Sequence, residues 1–219
     1  MKNLFATFVL LIAMSTTTSC ATSPESPLHR AAATGDVAVI RKLVADGAQL
    51  DARDSAQRTP LLRATHGNHI AAAKALIDAG ADVNARDAIQ DSPYLYAGAS
   101  GYLDILRMTL AAGADLRSTN RYRGTALIPA AERGHVETVR ALIDAGVDVD
   151  HVNRLHWTAL LEAIILGDGG ARHVEIVRLL VAARADVNLA DGEGVTALTH
   201  AHARGYREIE QILVAAGAR

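Results

Sequence analysis

The side chains best suited to chemistry or recognition fall in two short segments, Arg121-Tyr122-Arg123-Gly124 and Arg154-Leu155-His156-Trp157. Arginine and aromatic residues combine a large contact area with donors held in fixed geometry, and they dominate the energetics of protein interfaces. The candidate partner-binding residues are Arg121, Tyr122, Arg123, Arg154, His156 and Trp157, with Tyr96 on the same side. Their competing role is local packing, with the rings on neighbouring loops and the arginines on nearby carboxylates. Covalent chemistry has few candidates. There is no Gly-x-Ser-x-Gly elbow, no phosphate-binding glycine loop and no His-Glu-x-x-His, so no catalytic residue can be named and no enzyme is expected. Of nine histidines, His66 and His69 have ligand-like spacing but fall across a turn, and His200 and His202 point to different sides of a helix. Neither a metal nor a cofactor is expected. Gly167-Asp168-Gly169-Gly170 has the composition of an anion or metal nest, but one Asp without flanking carboxylates argues against calcium and favours a plain surface loop.

The elements that must position these residues follow from a period. Ser26-Pro27-Leu28-His29, Thr59-Pro60-Leu61-Leu62, Ser92-Pro93-Tyr94-Leu95, Thr125-Ala126-Leu127-Ile128 and Thr158-Ala159-Leu160-Leu161 recur every 33 residues, and Thr196-Ala197-Leu198-Thr199 follows after five extra residues. A fixed period of this size means stacked supersecondary units sharing one core. In each unit the Ser or Thr hydroxyl is placed to cap a first helix, and proline in the first three copies suits its first turn. Alanines at 31, 64, 97, 130, 163 and 201 mark close helix approach, and Gly35, Asn68, Gly101, Gly134 and Gly205 mark a turn. A second helix shows helical spacing in Val37, Ile40, Leu43 and Val44, and again in Val136, Val139, Leu142 and Ile143. It ends at Gly47, Gly80, Gly113 and Gly146, with Arg184 in the fifth copy at a cost of about 1 kcal/mol for a left-handed side-chain residue. Arg207 and Glu210 put charge where the earlier copies carry stacking surface.

These residues resemble the ankyrin repeat family, whose units begin Thr-Pro-Leu-His, turn at Gly-His and end Gly-Ala-Asp-Val-Asn; Gly80-Ala81-Asp82-Val83-Asn84 reproduces that ending. The resemblance extends from Ser26 to Arg219, and the Arg121–Pro129 and Trp157–Ala163 segments are also similar to small exported bacterial ankyrin proteins. It implies an all-α solenoid of about six helix-turn-helix repeats with extended loops, starting near 26, 59, 92, 125, 158 and 196. It also implies protein binding through loop tips and the concave face. The motif histidine is His29, and His69, His135 and His173 hold the family's second turn position. Tyr94, in place of a core leucine, is expected to be buried, while the second and third tips, Ser55-Ala56-Gln57-Arg58 and Ala88-Ile89-Gln90-Asp91, are small or weakly charged.

A formal charge of −2 gives no global field for nucleic acid, and an aromatic content of 4% requires a core of small side chains on closely packed helices. Residues 1–20 read as an export signal: Lys2, the apolar run Leu4 to Met14, and small residues up to Cys20, the only cysteine. The run is too short for a membrane span. Thr17-Thr18-Ser19-Cys20 resembles a lipoprotein box with Thr17 in place of the usual leucine, so Cys20 is the expected lipidation site; cleavage after Ala21 would instead leave a soluble periplasmic chain. Residues 21–25 form a linker. The resulting expectation is a monomeric, non-catalytic scaffold or protector in the cell envelope, anchored to the outer membrane as a lipoprotein and binding a protein partner. An inhibitor, effector or immunity-type protein acting on an enzyme is the alternative, and a small-molecule or metal binder a third possibility.

Overall fold

The computed structural model describes residues 25–219. Cys20, the leader and most of the linker lie outside the described residues. The first helices of successive repeats are α1 Pro27–Thr34, α3 Pro60–His66, α5 Pro93–Ser100, α7 Leu127–Glu132, α9 Ala159–Ile165 and α11 Ala197–Arg204. The second helices are α2 Val37–Ala45, α4 Ile70–Asp78, α6 Leu103–Ala111, α8 Val136–Asp144, α10 Ala171–Ala182 and α12 Arg207–Ala215. Each first helix packs on the next first helix, each second helix on the next second helix, and the two within a repeat on each other. The only β pairing among the described residues is an isolated bridge between Ala190 and Thr196. The molecule is therefore the all-α, six-repeat solenoid expected from the period.

Local rules act repeat by repeat. The hydroxyls of Ser26, Thr59, Ser92, Thr158 and Thr196 accept a hydrogen bond from the backbone N–H three residues on, closing the first turn. Thr125 departs from this pattern. Elsewhere the cap carbonyl accepts from the residue four on, as in Arg63 N to Thr59 O at 3.0 Å. In the fourth repeat that residue is Pro129, which has no N–H, so α7 starts one residue later on Ala126 and the buried Thr125 hydroxyl is left without a partner. Arg184 adopts φ 65°, the left-handed conformation that the glycines take in the other repeats.

The alanines at 31, 64, 97, 130, 163 and 201 are all buried, as are Ile40, Leu76, Leu106, Val139, Leu142, Leu180 and Leu213 on the second helices. Gly98 sits where α5 approaches the start of α7, and a Cβ there would lie 2.7 Å from that of Ala126. Tyr94 is buried as expected, with its hydroxyl unpartnered. On α2 Val39 is exposed, although Ile105 and Ile209 at the same register are buried, because no described element covers that side of the first repeat. At the other end Arg207 is exposed and Glu210 half-buried, while Ile209 and Leu213 supply the core contacts.

Two of the family histidines, His69 and His173, tie one repeat to the preceding one. His69 Nε2 lies 2.9 Å from Ala33 O and His173 Nε2 lies 2.9 Å from Glu132 O, so each ring caps a carbonyl at the end of the previous first helix. His29 spans Ser26 Oγ at 2.7 Å and Arg58 O at 2.9 Å. The inserted segment is held just as firmly. Asp168 Oδ1 lies 2.7 Å from His173 Nδ1, Tyr206 donates to Gly167 O at 2.9 Å, and the Tyr206 ring lies where a Cβ of Gly169 would be. Gly169 serves the close packing of Tyr206, and Gly167 that of the His173 ring.

Candidate functional site

The loop tips are built on a residue five before each Ser or Thr start: Asp54, Asp87, Asn120, Asn153 and Asp191. Its Oδ1 accepts from two backbone N–H groups, for example those of Tyr122 at 2.9 Å and Gly124 at 3.1 Å on Asn120, and of Leu155 at 2.8 Å and Trp157 at 3.1 Å on Asn153. This short polar side chain substitutes for missing backbone partners and folds the tip back on itself. The closure forces Gln57, Gln90, Arg123 and His156 into left-handed backbone with φ of 60° to 69°, and Gly194 to φ 80° in the last tip. Neighbouring tips are linked through their backbones, Ala88 N donating to Ala56 O at 3.1 Å and Arg154 N to Tyr122 O at 2.9 Å.

One position recurs in the five tips, occupied in turn by Ala56, Ile89, Tyr122, Leu155 and Glu193; Ala56 is half-buried and the other four are exposed. Ile89, Tyr122 and Leu155 keep 46%, 51% and 50% of their surface exposed. Three adjacent repeats thus present apolar side chains in register along one edge. Ile89 and Leu155 are not among the residues expected from the arginine and aromatic content of whole tips; alignment of the tips on this single register is the sequence signal that finds them.

The expected residues divide. Arg121, Tyr122, Arg123, Arg154 and His156 are exposed. The Arg121 guanidinium lies 3.6 Å from Asp91 and 4.9 Å from the Tyr122 ring centre, combining an ion pair with a cation–π contact. Trp157 does not join this edge. It is half-buried and packs against the core, because the tip turns at His156 and returns the chain inward. Tyr96 is also half-buried, its ring 4.1 Å from that of His66 and 6.2 Å from that of Tyr102. Burial, with Arg58 nearby, pushes the His66 imidazole below its ordinary pKa.

Between the tips and the first helices runs a groove of about 280 Å³, bounded by Asp91, Tyr96, Arg121, Tyr122, Leu155 and Leu166, with Glu132 and Glu162 also lining it. Glu162 is 6% exposed. It occupies the fifth residue of its repeat, where Arg63 and His200 stand in the second and sixth. Those two are answered by their own tip carboxylates, Arg63 to Asp54 at 2.9 Å and His200 to Asp191 at 2.7 Å. In the fifth repeat the polarity is inverted, with Asn153 Nδ2 donating to Glu162 Oε1 at 2.7 Å. Burial, and then the nearby Glu132 carboxyl, push the Glu162 pKa up to about 7. Asp91 is raised as well, by burial and by Asp87, against the pull of Arg121.

Among the described residues no group of three or more His, Cys, Asp or Glu side chains is placed to hold a metal ion, and no helix is long and apolar enough to cross a membrane. A row of two-helix units with a continuous loop edge and a shallow groove beside it defines a repeat-built binding scaffold. The family model for ankyrin repeats in three copies matches residues 2–87 and 94–191, and the chain belongs to the ankyrin repeat family. It is 64% identical to a crystallised ankyrin repeat domain from Acinetobacter baumannii AYE, with a TM-score of 0.87 over 88% of this chain and 98% of that one. The ankyrin repeat domain of Bcl-3, a member of the IkappaB family, is 27% identical, with a TM-score of 0.79 over 90% of this chain and 88% of that domain. A putative ankyrin repeat protein of Escherichia coli K12, YahD, is 49% identical over 57 residues, which are 26% of this chain and 28% of that protein. Ankyrin repeats mediate protein–protein interactions, and the fold is typically a non-catalytic scaffold.

Proposed function

We propose that this chain is a non-catalytic scaffold or protector of the cell envelope that binds one protein through its third, fourth and fifth loop tips and the adjoining groove. The observation that carries this reading is the in-register exposure of Ile89, Tyr122 and Leu155 beside Arg121. Folding leaves three large apolar side chains uncovered at one repeating position, which a partner surface would bury. Arg123, Arg154 and His156 form the polar rim of the same edge, and Tyr96 lies at the groove wall. Localisation rests on residues 1–20, with Cys20 as the lipid attachment point.

Affinity capture from envelope extract with the wild type, compared with the double variant Tyr122→Ala and Leu155→Ala, tests the binding surface. The double variant is expected to lose at least tenfold in capture while its denaturation midpoint stays within about 0.5 kcal/mol of the wild type, since surface changes of this kind leave the core intact. Undiminished capture by a folded double variant would place the interface elsewhere. Metabolic labelling with a clickable palmitate is expected to mark the wild type and spare Cys20→Ser; an unlabelled wild type, or equal label in both, refutes lipid anchoring.

A further inference from the structure

We infer that the groove between α7, α9 and the fourth and fifth tips takes a cationic side chain, an arginine guanidinium presented by the protein partner, against the free oxygen of Glu162. This rests on the scaffold reading above and specifies what enters the groove.

The fifth position of a repeat faces its own loop tip. Arg63 and His200 are each paired with a carboxylate of their own tip, so those repeats are electrostatically closed. The fifth repeat carries a carboxylate at this position. Its tip residue is Asn153, whose Oδ1 folds the tip while its Nδ2 serves Glu162 Oε1. The second Glu162 oxygen has no hydrogen bond from the protein, and no Lys, Arg or His nitrogen lies within ion-pair distance of the carboxylate among the described residues. The nearby bases make their contacts elsewhere: Arg133, which also lines the groove, donates to the neutral Ala99 O at 2.7 Å and acts on Glu162 only as a more distant positive charge, and Arg121 faces Asp91 at 3.6 Å. Glu132 adds negative charge from α7. On α11 the equivalent His200 is held by Asp191, and on α10 His173 is held by Asp168 and the Glu132 carbonyl. A carboxyl that is more than nine-tenths buried, with no cation at ion-pair distance among the described residues, therefore lines an open groove.

The walls select the kind of cation. Tyr96, Tyr122, Leu155 and Leu166 offer aromatic and apolar surface, and the groove has room for one long side chain. A guanidinium is planar, more weakly hydrated than an ammonium, and able to lie on an aromatic face while directing its edge at a carboxylate. Its arrival would supply the charge that burial denies Glu162, so the carboxylate would ionise as the complex forms.

The test uses the full-length ¹⁵N-labelled chain titrated with Nα-acetyl-arginine amide and, as a neutral isostere, Nα-acetyl-citrulline amide. At pH 8 the arginine amide is expected to shift the Asn153 side-chain amide and the Leu155 and Gly124 backbone amides in a saturable manner, and the citrulline amide is not. With Glu162 titrating near pH 7, about 10% is ionised at pH 6 and about 90% at pH 8, so the arginine amide should bind about tenfold more weakly at pH 6. Glu162→Gln should abolish the shifts at both pH values with an otherwise unchanged spectrum. Equal binding of the two amides, binding retained in Glu162→Gln, or no saturable shift with the arginine amide would each overturn the inference. Partner capture separates the two readings: a Glu162→Gln protein that captures its partner as well as wild type, while the Tyr122→Ala/Leu155→Ala protein does not, overturns the cationic pocket and leaves the scaffold standing.

Discussion

Glu162→Gln should stabilise the protein at pH 8 and have almost no effect at pH 4.5. Burial raises the folded-state pKa of Glu162 from its ordinary 4.5 to about 7. An acid whose folded pKa lies above its unfolded value contributes stability that is fully present below the unfolded pKa and lost as the pH rises through the folded one. Between pH 4.5 and 7 the folded state binds the extra proton; above 7 it must hold a buried carboxylate with one hydrogen bond, from Asn153, and the more distant charge of Arg133. At about 1.36 kcal/mol per pH unit, the difference between 4.5 and about 7 corresponds to a penalty on the order of 3 kcal/mol at pH 8. Partial hydration from the groove reduces this, so a gain of about 1.5–3 kcal/mol is expected. The glutamine keeps an oxygen to accept from Asn153 and adds no charge. Urea denaturation of wild type and variant from pH 4.5 to 8 measures the gap between the two curves, and subtracting them cancels the other titrating groups. A gap that is constant with pH, or a wild type more stable than the variant at pH 8, would refute a burial penalty on the Glu162 carboxylate.

Two further perturbations test the scaffold itself. Leu142, fully buried in α8, should cost about 2–4 kcal/mol on truncation to alanine through lost burial and a residual cavity; a denaturation shift below about 1 kcal/mol would mean that the second helices do not carry the core. Arg123, held at φ 60°, should give a protein more stable by about 0.5–1 kcal/mol as Arg123→Gly, because relief of left-handed strain outweighs the added freedom of the unfolded chain; Gly194 already occupies the equivalent place in the last tip, and a loss of stability in that thermal or urea measurement would contradict the strain argument.

Much of the solenoid was legible in the sequence because its rules are local. A capping hydroxyl needs only the N–H three residues ahead, and the end of a second helix needs only a residue that tolerates positive φ; both recur at fixed spacing and are read without knowing what the repeat touches. Even the failure of the Thr125 cap has a local cause, the missing N–H of Pro129, within reach of a reading that follows each helix's first hydrogen bond. The candidate edge was partly legible on the same terms, since Arg121 and Tyr122 stand at a tip and a tip is exposed. Leu155 and Trp157, two residues apart in one loop, were decided by its closure: the left-handed turn at His156 leaves the first outside and returns the second to the core. Other outcomes depend on groups about 30 to 40 residues apart meeting across repeats, as when Tyr206 settles on Gly167 and Gly169 and turns an apparent nest into a packing contact. Glu162 is the extreme case. Its letter marks only an acid on a helix; its burial, its single donor and the absence of an ion pair arise because its own tip brings an asparagine where the second and sixth repeats bring a carboxylate, and because Arg133 and Arg121 direct their guanidinium groups to the Ala99 carbonyl and to Asp91.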